Sequence, residues 1–311
     1  MLVLNELEIR ALADAGKARE AIAQAFRALQ RGEATLANVI SMPFQSPEGV
    51  AHIKAGHLHA DDVWTTKVSC DFDPGDGTPV LHNGVMLVLS AVDGSVVALL
   101  ADNGYLTELR TGAAGAVAAD LLARPDSTSV AIVGAGSQAR FQLDALLEVR
   151  SIDTVRVASR SRDRAQVFVE ECIDRGLSAR LCDSVEEAVR EANIVITVTP
   201  STTPLVEAAW LEPGAHVTAV GSDEPTKHEL GPGVLERAAL VAVDDRGQTA
   251  AFGEVHHAIG EALNVVTLGE LLEGVHEGRS SADEITVADL TGVGVQDAAI
   301  AALVLKEAGN R

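Results

Sequence analysis

Apolar residues recur at intervals of three and four along the first thirty positions of the chain. The residues of this stripe are Leu12, Ala15, Ala18, Ile22, Phe26 and Leu29. That spacing is typical of one face of an amphipathic helix, so we predict a helix over residues 9–30. From about residue 36 to 100, short apolar segments alternate with the turn sequences PGDGTP, HNG and VDG. This pattern of short apolar segments and turn sequences predicts a meander of mostly antiparallel strands.

The pattern changes again after residue 107. The small-residue segment TELRTGAAGAVAADLLA predicts a helix over 107–123 that ends at Arg124-Pro125-Asp126. Beyond it, apolar strands alternate with helices that begin at Gln138, Arg162 and Val185. Continuous apolar strands joined by helices indicate a parallel sheet covered on both faces. A final helix, VQDAAIAALVLKEAG, either caps this second domain or returns to the first.

We therefore predict an α/β fold with two domains. A Rossmann domain with a doubly wound parallel sheet spans residues 119–295. A second domain of α+β type combines residues 1–118 with 296–311. The length of 311 residues fits two domains, and 47% hydrophobic residues are enough for two cores.

The charge of the chain argues against polyanionic partners. With 24 Lys and Arg against 45 Asp and Glu, the net charge is −21, and the surface repels nucleic acid and anionic lipid. The cysteines, Cys70, Cys172 and Cys182, lack CxxC spacing and fit neither a disulfide framework nor a zinc site. No signal peptide and no apolar run of about 18 residues is present, so we expect a soluble cytoplasmic protein.

A glycine-rich loop follows the strand SVAIV and opens the next helix. Gly134, Gly136 and Ala139 form GxGxxA, in which the glycines permit a tight turn and close approach of a pyrophosphate. The helix N-terminus adds anion-binding N–H groups. A purely structural turn is the alternative for this motif taken alone. Its strand-turn-helix context favours dinucleotide binding by residues 134–139, namely Gly134, Ala135, Gly136, Ser137, Gln138 and Ala139.

The end of the next strand bears on the choice of cofactor. An NAD site usually has an acid there for the ribose 2′-hydroxyl, whereas this chain has Ser159, Arg160, Ser161 and Arg162. Hydroxyl and guanidinium groups suit a 2′-phosphate. We therefore favour NADP(H), with NAD(H) possible; the alternative is that these arginines are solvated residues at a helix start. Thr199 and Ser222, at the ends of later strands, are also expected cofactor contacts.

Several segments resemble the ornithine cyclodeaminase and mu-crystallin family. They are TTKVSCDF with Lys67, LTELRTGAAGAVAA with Arg110, VAIVGAGSQA, VGSDEPTKHEL with Asp223, and GVGVQDAA. Together they cover nearly the whole chain. Within the family the sequence is most similar in appearance to ectoine-utilisation cyclodeaminase homologues and ketimine reductases.

The resemblance implies a homodimer in which the first domains join sheets, with the active site in a cleft between the domains. It also implies one of several activities: cyclodeamination of ornithine or lysine, alanine dehydrogenation, or reduction of ketimines and iminosuccinate. All of them pass through an imine next to a carboxylate. A hydride moves between the substrate α-carbon and C4 of the nicotinamide.

Three residues of the matching motifs suit this chemistry. Arg110 offers two parallel N–H bonds to a carboxylate, and Lys67 adds a second cation there or at the developing charge. Asp223 follows an apolar strand and is placed to exchange a proton with the substrate nitrogen; we also expect it near the cofactor. The alternatives are a surface ion pair for either cation and a helix or turn cap for Asp223.

Two departures from the family pattern concern the substrate side chain. Family members that handle ornithine tend to have an arginine in the first strand after the opening helix, whereas this region of the chain, ATLANVISMP, has Asn38 and no arginine. The second strand region has Lys54 in place of a glutamate, although a slip of one residue would place Ile53 or Ala55 there. We expect Lys54 to line the substrate site and to repel a diamine; a solvated strand residue is the alternative.

Other chemistries have less support in the sequence. His57 and His59 alternate on one strand and His256 adjoins His257, but no third ligand at metal spacing accompanies either pair. Neither GxSxG nor HExxH occurs. The sequence therefore predicts an imino-acid reductase or amino-acid dehydrogenase. Alternatives are a cyclodeaminase that recycles NAD⁺ and releases ammonia, and a nucleotide-dependent small-ligand binding protein.

Overall fold

The computed structural model describes residues 1–75, 81–258, 260 and 262–310. The chain forms two compact units, one of residues 1–110 with 293–311 and the other of residues 111–292. The expected boundaries after 118 and 295 fall further along the chain, by 118 − 110 = 8 and 295 − 292 = 3 residues. Both pairs of boundaries lie in or beside the helices that connect the units, so the pattern of elements alone does not separate them.

The first unit contains one mixed sheet and helices at both ends of the chain. Its strands are β1 (Leu2–Asn5), β2 (Ala34–Leu36), β3 (Ile40–Gln45), β4 (Glu48–Leu58), β5 (Val63–Asp73), β6 (Leu81–Ser90) and β7 (Val96–Ala101). Its helices are α1 (Glu6–Arg10), α2 (Ala15–Gln30), the start of α3 (Tyr105–Leu122) and α11 (Gly294–Gly309).

The single helix predicted over residues 9–30 is wrong. Asn5 caps α1 by accepting from the backbone N–H of Glu8, and Asp14 caps α2 by accepting from that of Lys17. Because the side chain of Asp14 caps the N-terminus of a second helix, the first helix does not continue through residues 11–14. The apolar stripe continues across residues 11–14, so the spacing of apolar residues does not reveal the break between the two helices.

The strand order of the first sheet is β1-β7-β6-β5-β4-β2, with β3 also paired to β4. The pairs from β2 to β7 are antiparallel, as the meander predicts, while β1 joins β7 in parallel and was not predicted. The predicted HNG turn is wrong, because His82–Gly84 pair with β5 inside β6. The predicted VDG turn is present between β6 and β7. Most of PGDGTP lies outside the described residues.

The second unit is built on eight parallel strands. They are β8 (Ser129–Val133), β9 (Thr154–Ala158), β10 (Ser178–Leu181), β11 (Ile194–Thr197), β12 (His216–Ala219), β13 (Ala238–Val243), β14 (Val265–Thr267) and β15 (Ile285–Asp289). Its helices are α4 (Ser137–Leu147), α5 (Arg162–Asp174), α6 (Val185–Val189), α7 (Val234–Arg237), α8 (Arg246–Ala251), α9 (Glu254–His257) and α10 (Leu268–Leu272), with a 3₁₀ turn at Ala208–Trp210.

The strand order of this sheet is β10-β9-β8-β11-β12-β15-β13-β14. Alternate residues of β8 enter two separate cores: Val130 and Ile132 join one, and Ala131 and Val133 the other. Both faces of the sheet are therefore covered, and the predicted doubly wound α/β fold is confirmed. The prediction missed β14 and the fully buried β15, which inserts between β12 and β13.

The final helix belongs to the first unit. α11 packs on α2, β4 and β5, which decides between the two positions that the sequence left open. Among the described residues, none of the helices combines the length and apolar character that crossing a bilayer requires.

Candidate active site

Two lysines lie side by side on the sheet of the first unit. Lys54 of β4 is the cross-strand partner of Lys67 of β5, so both side chains project from the same face. Their exposed fractions are only 6% and 2%. The alternative that Lys54 is a solvated strand residue is therefore wrong. Two buried ammonium groups on one face repel each other, which requires anions nearby.

A buried guanidinium and carboxylate complete this group. Asp297 of α11 is fully buried, with its Oδ1 3.2 Å from the Nζ of Lys67 and 3.3 Å from the Nε of Arg110. Arg110 also donates from Nη1 to the Oε1 of Gln296 at 3.4 Å. We call Lys54, Lys67, Arg110 and Asp297 the cation cluster. The alternative of a surface ion pair for Arg110 or Lys67 is wrong, because the pairs are buried.

The approach of α11 to β4 brings Asp297 to the lysines. A Cβ on Gly294 would lie 2.2 Å from the carbonyl oxygen of Ala55, and one on Gly56 would lie 2.4 Å from the carbonyl carbon of Gly294. Only two glycines allow this contact between the backbones. Asp297 then lies in the first turn of α11, where a carboxylate is favoured by the helix dipole.

The cation cluster holds more positive than negative charge. Burial lowers the pKa of Lys67 to about 7; Asp297 opposes this shift, while Arg110 and Lys54 add to it. Burial also raises the pKa of Asp102, whose Oδ2 accepts from the backbone N–H of Leu106. The Nε of Arg110 faces Asp297 at 3.3 Å and has no hydrogen-bond partner of good geometry among the described residues. The cluster therefore has the excess positive charge and an unused N–H donor with which to take an anionic ligand.

The predicted cofactor loop has the geometry of a dinucleotide cradle. Gly134 has a φ of 116°, and a Cβ there would lie 2.7 Å from the carbonyl oxygen of Val198. Around Gly136, by contrast, a Cβ would meet nothing within 4 Å. Gly136 begins α4 without a side-chain cap, and Ala139 is fully buried. The open backbone at this helix N-terminus fits a pyrophosphate.

The other residues expected in this loop have mixed surroundings. Ala135 is buried, and Gln138 accepts through Oε1 from the amide of Gln142 at 3.0 Å. Ser137 is exposed at the first position of α4. Ser137 is thus the side chain of the loop that is open to a ligand.

The segment after β9 is at the surface. Arg160 and Arg162 are exposed, and Ser159 is partly exposed. Arg162 pairs through Nη1 with Asp183 at 3.0 Å. Exposed ion pairs contribute little free energy, so this contact leaves Arg162 able to move toward a phosphate.

Asp223 lies in the loop after β12 and pairs with a residue that the sequence analysis missed. The Nζ of Lys227 lies 2.7 Å from Oδ1 of Asp223 and 2.8 Å from Oε1 of Glu224. Burial acts to lower the pKa of Lys227, but the two carboxylates outweigh it and raise the pKa. Ser222 donates from Oγ to the carbonyl of Lys227 at 2.6 Å, which closes the loop. The spacing of Asp223 and Lys227, four residues apart, is a signal that could have revealed this pair.

Thr199 is held by another residue that sequence reasoning missed. Both its backbone N–H and its hydroxyl donate to Oε1 of Glu229 at 2.7 Å. Glu229 is fully buried and lies in the segment KHEL, six residues beyond Asp223. A lone glutamate in a loop gives no sequence signal for burial, because acids are usually exposed.

The histidines form contacts typical of structural residues. His57 lies 3.0 Å from the carbonyl of Asp61, and His59 lies 2.9 Å from the hydroxyl of Thr35. His257 stacks on His228 with ring centroids 4.0 Å apart. Within the described residues, no group of three or more His, Cys, Asp or Glu side chains is arranged to hold a metal.

The sequence profile of the ornithine cyclodeaminase/mu-crystallin family matches residues 1–310. A putative dehydrogenase of Rhizobium meliloti is 41% identical over 99% of this chain and 96% of its own length. An alanine dehydrogenase of Archaeoglobus fulgidus is 36% identical over 99% of this chain and 95% of its own. More distant relatives include the ketimine reductase mu-crystallin of Mus musculus.

Solved structures agree with the sequence relatives. An archaeal alanine dehydrogenase dimer with bound NAD superposes with a TM-score of 0.92 at 34% identity, covering 100% of this chain and 96% of the other. The Δ¹-pyrroline-2-carboxylate reductase of Thermococcus litoralis, in complex with NADH and L-proline, also gives 0.92, at 27% identity and coverage of 100% and 98%. A lysine cyclodeaminase is a further structural neighbour, with a TM-score of 0.88 at 27% identity, covering 100% of this chain and 93% of the other.

Proposed function

The chain belongs to the ornithine cyclodeaminase/mu-crystallin family, and within it we propose that the protein is an NAD(P)H-dependent imino-acid (ketimine) reductase or amino-acid dehydrogenase. The family includes both oxidoreductases and cyclodeaminases, and this chain resembles members of both kinds. The observation that carries the proposal is the buried cation cluster. Two cations, Lys67 and Arg110, contact the carboxylate of Asp297, and a third, Lys54, lies beside Lys67, so that the group has an excess of positive charge for a small carboxylate.

In this proposal Arg110 and Lys67 bind the carboxylate of the substrate. Arg110 supplies the planar fork that matches a carboxylate, and Lys67 supplies a point charge. Asp297 and Gln296 hold the guanidinium in place through contacts of 3.3 and 3.4 Å. A carboxylate anchored in this way fixes the adjacent imine carbon, which is the atom that accepts the hydride.

The nicotinamide cofactor supplies the hydride. Residues 134–139 would hold its pyrophosphate, and Thr199, Ser222 and Asp223 lie at the carboxyl ends of the central strands, where a Rossmann sheet presents groups to its ligand. Asp223 moves the proton at the substrate nitrogen, and Lys227 restrains its carboxylate at 2.7 Å.

Lys54 favours reduction over cyclodeamination. A cyclodeaminase of the ornithine type must accept a second ammonium group on the substrate side chain. Lys54 is buried beside Lys67, and its ammonium would repel that group. We therefore expect substrates without a side-chain cation.

The test is a turnover assay with several imino acids, of which cyclic ketimines and the imine of pyruvate are the first choices. Net oxidation of the reduced cofactor with these substrates supports the proposal. Release of ammonia from ornithine or lysine without net change in cofactor absorbance identifies a cyclodeaminase instead. Tight binding of ligands without turnover identifies a binding protein.

We also propose that NADP(H) is preferred over NAD(H). The structural neighbours hold NAD or NADH, but the end of β9 in this chain presents Ser159, Arg160 and Arg162 and no acid. Replacing Arg160 with Asp should reverse or erase the preference, as measured by dissociation constants for NADPH and NADH. Equal constants for the two cofactors in the wild-type protein would contradict it.

We propose a homodimer as well. Size-exclusion chromatography with light scattering measures the mass of the native protein and separates a dimer from a monomer of 32.4 kDa.

A further inference from the structure

Glu229 is a buried carboxylate whose hydrogen bonds come from three different residues. Its Oε1 accepts from the backbone N–H and the hydroxyl of Thr199, both at 2.7 Å. Its Oε2 accepts from the hydroxyl of Thr197 at 2.7 Å and from the backbone N–H of Gly221 at 2.8 Å. Burial raises the pKa of this carboxyl, and the four short bonds from donors act against that rise.

These partners lie on two neighbouring strands. Thr197 ends β11, and Thr199 follows it; Gly221 follows the end of β12. Glu229 therefore joins the carboxyl ends of β11 and β12, which is the edge where a doubly wound sheet binds its ligand. The joined segments also carry Ser222 and Asp223.

Glu229 is itself held on two sides. Its backbone N–H donates to Oε1 of Glu254 at 2.8 Å. The backbone N–H of Leu230 donates to Oε2 of the same Glu254 at 3.1 Å. At its carboxylate, a Cβ on Gly221 would lie 2.6 Å from Cδ of Glu229 and 2.1 Å from the carbonyl oxygen of Thr199. The carboxylate thus occupies space that only a glycine at 221 leaves open.

We propose that Glu229 is a positioning residue for the nicotinamide half of the cofactor site. It fixes the segments of Thr199 and Asp223 relative to each other, and so sets where the nicotinamide and the proton-transferring carboxyl lie. This inference rests on the proposed function. Glu229 acts through Thr199, Gly221 and the loop beyond it, and not through contact with substrate.

The chemistry of the side chain makes Glu229→Gln a sharp test. Each oxygen of Glu229 accepts from one backbone N–H, that of Thr199 on Oε1 and that of Gly221 on Oε2. A glutamine must present its NH₂ group to one of these N–H donors, whichever way its amide is turned. Either the segment after β11 or the segment after β12 therefore loses its backbone hydrogen bond to residue 229, although the size of the side chain is kept.

The experiment compares two ligands by titration calorimetry: ADP-ribose, and whichever reduced dinucleotide, NADH or NADPH, the wild-type protein binds more tightly. ADP-ribose, used in its 2′-phosphorylated form if NADPH is the tighter dinucleotide, contains the same adenosine and pyrophosphate but lacks the nicotinamide. We expect Glu229→Gln to weaken binding of the dinucleotide about tenfold, the effect of one unsatisfied buried donor, with ADP-ribose little affected. The exposed Glu236 provides the matched control Glu236→Gln, which should bind both ligands like the wild type.

A second variant covers the case in which Glu229→Gln does not fold. Thr197→Val removes one donor to Oε2 without changing the shape of the side chain or a charge, and should show the same separation between ligands on a smaller scale. Equal weakening of both ligands, or of neither, in the folded variants overturns the role of Glu229. A wild-type protein that binds the dinucleotide no better than ADP-ribose overturns the proposed function, and with it this inference.

Discussion

The two units of the molecule each bury charged groups, and they do so in opposite ways. In the second unit, the oxygens of Glu229 accept four hydrogen bonds, two of them from backbone N–H groups. In the first unit, Asp297 pairs with two cations, Lys67 at 3.2 Å and Arg110 at 3.3 Å, and among the described residues no backbone N–H donates to its oxygens. One buried charge is saturated with partners, whereas the other group is not.

This difference separates a structural role from a binding role. A saturated carboxylate has no capacity left for a ligand and can only hold the chain that surrounds it. A cluster with excess positive charge is costly in the free protein, and an anion that accepts hydrogen bonds from its cations lowers that cost. Burial of charge alone does not identify a binding site; an excess of buried charge of one sign points to a ligand of the opposite sign.

The largest expected effect concerns the loop that Glu229 holds. Asp223→Asn keeps the shape of the side chain and removes proton exchange, so kcat should fall by about 10² to 10⁴, the usual contribution of a positioned acid or base. Binding of the cofactor should be preserved. Glu224→Gln is the matched control, because Glu224 also contacts Lys227 and lies next to Asp223. An unchanged pH-rate profile in the Asn variant would show that Asp223 is only a turn residue.

The next effect is on stability and concerns Asp297. Asp297→Asn leaves Lys67 and Arg110 buried without their shared carboxylate, so the free energy of unfolding should fall by about 3 to 5 kcal/mol. Urea denaturation measures this change. Asp126→Asn, which removes a 76% exposed carboxylate from a surface pair with Arg124, should change stability by less than about 1 kcal/mol. Equal losses in the two variants would contradict a special role for the cation cluster.

Arg110→Ala tests the cluster as a carboxylate site. We expect kcat/KM to fall by a factor equivalent to about 2 to 5 kcal/mol, the range for loss of a buried charged hydrogen-bonding partner. The dissociation constant of the cofactor should barely change. Arg10→Ala, at an exposed arginine paired with Glu6 in the same unit, should leave the kinetics unaltered. Activity that survives Arg110→Ala with every imino and amino acid tested would show that Arg110 does not bind the carboxylate.

The smallest effect is a pH dependence due to Lys67. Because burial lowers its pKa to about 7, the free protein loses this cation as the pH rises above that value. We expect kcat/KM to fall about tenfold between about pH 7 and 9, since one charge-assisted hydrogen bond contributes about 1.5 kcal/mol. In Lys67→Met this fall should disappear while the remaining pH dependence stays. A fall that persists in the variant must come from another group.

The same pKa has a consequence for stability, with a definite sign. The folded-state pKa of Lys67 is lower than the ordinary value of 10.5, so between these two values the unfolded chain binds more protons than the folded one. Stability contributed by this residue therefore rises with pH across that window and is lowest at and below about pH 7. Comparing urea denaturation of the wild type with Lys67→Met across the window measures this slope.

The sequence by itself determined the α/β class and the position of the glycine loop. It also displayed the alternation of strands and helices from which the parallel sheet of the second unit was predicted. These features depend on local periodicity and on motifs within a few residues, which a sequence displays directly. It also singled out Lys67, Arg110 and Asp223 as candidates. It failed at the break between α1 and α2 and at the HNG segment, where a cap and strand pairing outweigh local pattern.

Tertiary structure decided which charges are buried and which groups lie beside them. Asp297 reaches Lys67 from the other end of the chain only because Gly56 and Gly294 let α11 lie against β4. Glu229 finds Thr197, Thr199 and Gly221 only once two strands are aligned in the sheet. The stability of a charge depends on its surroundings in three dimensions, because desolvation and hydrogen bonding depend on neighbours distant in the sequence. No local pattern carries that information.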